Sequence, residues 1–188
     1  ALSKLDLESQ FSAVRINISN GQYQRLVATM DGDLGMKVGK GGSVEQVLVD
    51  LNIKDGSMLV AGYDRLDLPS GELKSVMRGG KVELKHLALD FGTAGNFDLN
   101  GVLEIGDAWA LRDLKLSLNV PDMDVPLFSA LWPNWAAPKT RDWVIKNVPA
   151  GRVRASKLSI AADLDAAKAV QKVYDVKGDI KVRGAQLI

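Results

Sequence analysis

Apolar residues recur at every second position over runs far longer than an ordinary strand, and this spacing constrains the chain more than any motif in it. Leu26, Ala28, Met30, Leu34, Met36 and Val38 share one parity, broken only by Gly32, while Thr29, Asp31, Asp33 and Lys37 take the other. A helix would mix the two sets around its circumference, whereas an extended chain keeps them on opposite faces. At roughly 3.3 Å per residue, positions 26 to 38 would span about 43 Å, more than twice the roughly 17–20 Å of a strand of usual length.

The same period returns along the chain. Val47, Val49, Leu51 and Ile53 alternate with Leu48, Asp50, Asn52 and Lys54; Phe97, Leu99, Gly101, Leu103 and Ile105 alternate with Asp98, Asn100, Val102 and Glu104; Leu114, Leu116, Leu118 and Val120 face away from Asp113, Lys115, Ser117 and Asn119. Between Val82 and Phe91 the apolar parity flips near His86, as a β-bulge would make it. Asn20-Gly21, Gly39-Lys40-Gly41-Gly42, Asp55-Gly56, Pro69-Ser70-Gly71, Gly79-Gly80 and Gly92 to Gly95 read as turns. Connections this short join antiparallel neighbours, so the expected fold is mainly β: a long, twisted antiparallel meander formed by a single β-rich segment. Phe97 to Ile105 and Tyr174 to Val182 also echo each other residue class by residue class, which suits a sheet built from repeated hairpins.

The period changes once. Residues 1–120 and 152–188 read as strands, and 121–151 as a Trp/Pro-rich helical insertion holding Trp132, Trp135 and Trp143. Val125 to Leu131 suits a short helix, ended where Pro133 biases Trp132 away from helical geometry. Pro138 suits the first turn of a second helix, Pro138 to Asn147, with Lys146 favourable to the dipole in its last turn. The tryptophans either cap an end or edge of the sheet, or form an amphipathic element at a membrane interface or a gate over a groove.

Composition narrows the chemistry. Among 188 residues, 24 basic side chains balance 23 acidic ones, so the net charge of +1 offers no field for a nucleic-acid partner. With no cysteine and one histidine, His86, no disulfide, metal or cofactor is expected. Gly35 to Lys40 is one residue short of a phosphate loop, Asp31-Gly32-Asp33 lacks the rest of a calcium loop, and His86 with Asp90 has no nucleophile motif beside it. The expectation is a non-enzymatic protein. No apolar run is long enough for a membrane-spanning helix, and the two ends read as those of a piece of a longer chain.

The alternation alone leaves two arrangements open: a bent sheet with an uncovered apolar face, or a closed β-sandwich or barrel with a dry core, acting as a scaffold or protein-interaction module. The stretch from Trp132 to Val153, WPNWAAPKTRDWVIKNVPAGRV, resembles the signature of AsmA-like envelope proteins, closest to the uncharacterised-domain region of YhdP-type members. Trp132, Pro133, Pro138, Lys139, Arg141, Trp143, Gly151 and Val153 carry the match, and a structural role is expected for Trp132, Pro133, Pro138, Arg141, Trp143 and Gly151. The resemblance implies the periplasm of a Gram-negative bacterium, an inner-membrane anchor outside this chain, and a bent groove or half-barrel that passes phospholipid or another acyl lipid between membranes in outer-membrane biogenesis. Leu26, Met30, Leu34, Met36, Val49, Leu51, Leu84, Leu87, Leu116, Leu118, Val176, Ile180 and Val182 are the expected lipid-lining residues.

Overall fold

A computed structural model of the chain describes residues 5–19, 25–60, 63–106, 111–133, 136–165 and 170–187. The expected turn at Asn20-Gly21 and the side chain of Trp135 lie outside them. Eleven strands form one antiparallel sheet: β1 (Leu5–Ser19), β2 (Arg25–Val38), β3 (Val44–Val60), β4 (Tyr63–Asp67), β5 (Ser70–Arg78), β6 (Lys81–Asp90), β7 (Gly95–Ile105), β8 (Leu111–Asp124), β9 (Ala150–Asp165), β10 (Val170–Asp179) and β11 (Val182–Gln186). Their spatial order is β1-β2-β3-β5-β6-β7-β8-β9-β10, with β4 continuing β5 alongside β3 and β11 continuing β10 alongside β9. The sheet is bent and is not closed into a barrel. Its accessible surface, 11783 Å², exceeds the roughly 8,800 Å² of a compact protein of this mass, as a sheet without a second layer over its whole length requires.

Directly paired residues on neighbouring antiparallel strands point to the same face, so the registers show which side chains meet. One row reads Leu34, Val49, Ser75, Leu84, Gly101, Leu116, Ile160 and Val176; the next reads Phe11, Gly32, Leu51, Leu73, Leu87, Leu99, Leu118, Leu158 and Gly178. The opposite face carries cross-strand pairs such as Asp31 with Lys54 at 3.3 Å, Lys81 with Glu104 at 3.1 Å and Asn119 with Asp98 at 3.0 Å. Exposed pairs of this kind add little stability each. They do keep the face wet, so that only the other face is left to bury.

Glycines on the apolar face share one device. Gly32, Gly71, Gly101 and Gly178 each pair with a leucine, respectively Leu51, Leu89, Leu116 and Leu158. In all four cases that leucine's Cδ2 lies over the glycine, within 2.8–2.9 Å of where a Cβ would stand. The leucines therefore lie down along the sheet.

Several sequence readings change. Asp55-Gly56 is not a turn: it lies inside β3, where the register with β2 shifts by one residue and Gly56 lets the Val27 carbonyl and Ala28 come close. Pro69-Ser70-Gly71 does not reverse the chain either, but interrupts one line of pairing along β3, where the Leu68 N–H still donates to the Gly56 carbonyl at 2.9 Å. Strand geometry also persists past Pro121 to Asp124, because the proline sits exposed at an irregularity between β7 and β8. The turns at 39–42, 79–80 and 92–95 are present, and the bulge near His86 appears as register shifts against both β5 and β7.

Gly101→Ala should cost at least about 3 kcal/mol in urea unfolding, because its Cβ would collide with the Lys115 carbonyl and Leu116 Cα. Gly41→Ala, where nothing lies within 4 Å, should cost only the positive-φ strain, about 1–2 kcal/mol.

Candidate functional site

The apolar face is covered at one end only. There, β8 runs into α1 (Val125–Leu131) and α2 (Pro138–Asn147), which return the chain to β9. Pro126 pre-sets the first turn of α1, and Trp132 ends it in an extended conformation ahead of Pro133. Asp124 stands at the N-cap, but its carboxylate accepts from Arg152 Nη1 at 2.8 Å instead of capping the helix. The buried face of α1, Val125, Leu127 and Phe128, joins Val120, Met123, Val153 and Leu158 in a cluster that also takes in Ala28, Met30, Ile53, Leu66, Leu68 and Phe91. Leu127 and Leu68 are 0% exposed, whereas Leu34 and Leu7 near the other end are 42% and 44% exposed.

Where covered and uncovered face meet, a cavity of about 180 Å³ opens between the sheet and α1. Its walls are Phe97, Leu99, Leu116, Leu118, Val120, Met123, Phe128, Leu131, Trp132, Pro133, Leu158 and Ile160. Trp132 packs edge-on to Phe128 at 5.3 Å, and its indole N–H donates to the Ala136 carbonyl at 2.6 Å. The Trp132 carbonyl accepts from Arg141 Nε at 3.0 Å. With the indole N–H so occupied, Trp132 offers the cavity its ring, and among the described residues no charged side chain lines the wall. Such a space suits hydrocarbon: apolar cavities of about 150 Å³ elsewhere stay dry and take up apolar molecules.

Of the expected lining residues, Met30, Leu34, Met36, Val49, Leu51, Leu84, Leu87, Leu116, Leu118 and Val176 fall on the apolar face through the pairing registers, and Leu26 shares the parity of Met30. Ile180 packs against the core cluster, and Val182 pairs with the buried Val153. Leu116 and Leu118 alone among them reach the cavity wall. Leu73 and Met77 were missed because Ser75 interrupts their parity while Val76 puts an aliphatic residue on the wrong face. Phe128 and Leu131 were missed because a seven-residue helix gives too little periodicity to orient it. Of the motif residues, Trp132 and Pro133 line the cavity, Arg141 holds the Trp132 carbonyl from outside it, Pro138 opens α2, and Gly151 allows the backbone of Arg183 and Ala185 within 3.1 Å of its missing Cβ. Trp143 differs, standing 57% exposed on α2.

Arg152 holds the base of the insertion. Its guanidinium donates through Nε and Nη2 to both carboxylate oxygens of Asp122, and through Nη1 to Asp124 and the Thr93 carbonyl. Hydrogen bonding from Arg152 holds the Asp122 carboxyl below its ordinary value, and the nearby charges of Arg152 and Arg154 add to this. Close by, Ala155 in β9 takes a left-handed φ of 46°, and the buried Ser156 hydroxyl accepts from the Lys181 N–H at 2.8 Å where β10 gives way to β11. His86 lies on the polar face, its Nε2 3.8 Å from Glu72. Among the described residues no group of three or more acidic or histidine side chains is placed to hold a metal ion, and no helix is long and apolar enough to cross a membrane.

Compared with known proteins, the chain matches no family model, no curated protein and no solved structure. What the fold and site define is a class of arrangement: a bent, open antiparallel sheet with one polar face, one apolar face, and a helical cover at one end.

Leu127→Ala should destabilise by about 2–5 kcal/mol, whereas Leu34→Ala should stay within about 0.5 kcal/mol, both by urea titration. The lowered carboxyl of Asp122 also sets a direction with pH. Its contribution to stability is complete above the ordinary value of 3.8 and is lost as pH falls below that through the native value. Thermal melts of Asp122→Asn should therefore start lower at neutral pH and fall less steeply than wild type on acidification.

Proposed function

We propose that this sheet is a segment of a bacterial envelope protein whose apolar face binds acyl chains of phospholipid and lets them move along it between inner and outer membranes. The observation that carries the reading is the pair of rows, mostly Leu, Val and Ile with Gly32, Ser75 and Gly101 among them, that run from β2 to β9 and are uncovered away from the helical end. Burial of each methylene is worth about 0.8 kcal/mol. With leucines lying flat over the glycines and no charged group on the cavity wall, one position along the rows is worth much the same as the next. Binding is then favourable while sliding meets small barriers, so that movement is passive and needs no catalytic group.

Placement in the periplasm of a Gram-negative cell, with an inner-membrane anchor elsewhere in the parent protein, rests on the AsmA-like resemblance of Trp132 to Val153. The reading of a closed sandwich with a dry core has less support, because the described strands form one sheet whose β1 edge pairs only with β2.

Native mass spectrometry of the purified protein should find phospholipid bound, and the protein should take up a fluorescent fatty acid. Leu34→Asp and Leu116→Asp should both remain β-rich by circular dichroism and lose most of that uptake. Protein that carries no phospholipid and takes up no fatty acid would sink the proposal.

A further inference from the structure

The second helix of the insertion presents a surface that neither the sheet nor the cavity uses. Over Pro138 to Asn147, Val144 packs against the core and Arg141 turns back to the Trp132 carbonyl. These contacts fix the rotation of the helix. Lys139, Trp143 and Lys146 then fall at i, i+4 and i+7, within about one sixth of a turn of one another on the outward side. All three are exposed, Trp143 at 57%. Asp142 borders this stripe but lies 3.6 Å from Arg141 Nη1, and neither Lys139 nor Lys146 forms an ion pair with any described residue. Exposed Ile145, with Pro126 and Pro149, extends apolar surface to one side.

We infer that the Lys139–Trp143–Lys146 face of α2 seats the helical end of the sheet on a bilayer containing anionic phospholipid. An exposed tryptophan keeps a large apolar ring in water at a cost, and that cost is relieved at the headgroup boundary, where its ring is buried and its N–H stays wet. Two lysines with no ion-pair partner among the described residues stand beside it and supply the charge complementary to phosphate headgroups. Lysine stems also reach past an apolar surface to leave the ammonium groups in the headgroup layer. At ten residues the helix is too short to span a bilayer, so contact would be shallow and reversible. The cavity rimmed by Trp132 and Pro133 opens at this same end of the sheet. The membrane contact stands whether or not the apolar face carries lipid.

The test is flotation of the whole protein with vesicles of phosphatidylcholine alone and of phosphatidylcholine mixed with phosphatidylglycerol in roughly three-to-one proportion. Wild type should float with the mixed vesicles at low salt and be released as salt rises, since screening shortens the reach of its charges. Lys139→Gln with Lys146→Gln should lower partitioning at least about tenfold, each lysine near an anionic surface being worth about fivefold. Trp143→Ser should lower it further in the presence of both lysines or neither. Because all three side chains are exposed, these variants should keep the wild-type melting temperature. They should also take up fluorescent fatty acid as wild type does, which separates failure of this surface from failure of the groove. No flotation by wild type, equal flotation with both vesicle types, or flotation unchanged in the variants would each overturn the inference.

Discussion

Register is the constraint on which everything else in this molecule depends. Side chains on a strand alternate faces with a period of two, so a slip of one residue anywhere between β2 and β9 would turn a whole strand of leucine and valine toward the charged face. The two-faced pattern itself penalises such a slip, because it would bury Asp and Lys while exposing Leu. Where the chain does carry an extra residue, as in β3 beside Gly56 and in β6 beside His86, the neighbouring pairing shifts with it and the apolar rows stay continuous.

Covering one end of such a sheet raises a separate problem, since a helical insertion between two strands must leave and rejoin at fixed points. Arg152 meets that requirement electrostatically. By gripping Asp122, Asp124 and the Thr93 carbonyl at once, it joins the last residues before α1, the first strand after α2 and the turn ahead of β7. Asp124 forgoes helix capping to take part. The helix it would have capped is held instead by burial of Val125, Leu127 and Phe128.

Much of this was legible in the residues. The alternation gave β2, β7, β8 and the first part of β3, the prolines bracketed both helices at their observed limits, and the parity change at His86 marked a real bulge. What failed did so for physical reasons. Asp-Gly and Pro-Ser-Gly are turn sequences by propensity, but at residues 55–56 and 69–71 pairing along β3 overrides propensity and uses the small residues for close approach or interruption. Arg152 and Asp122 are thirty positions apart, and no local signal couples them. Trp143 belongs to the same motif as Trp132, yet one is turned inward and the other outward. A ten-residue helix whose three apolar side chains, Trp143, Val144 and Ile145, are consecutive does not reveal which side will meet the sheet.

The uncovered apolar face has a thermodynamic consequence. The heat capacity change of unfolding and its sensitivity to denaturant both scale with surface newly exposed. In this molecule part of the leucine surface is in water before unfolding begins, as the area of 11783 Å² indicates. The native protein has less left to expose than the usual 12–15 cal/mol/K per residue implies, so its stability curve against temperature is broad and shallow. Anything apolar that fills the face would steepen that curve, and calorimetry would register occupancy as curvature as well as a higher midpoint.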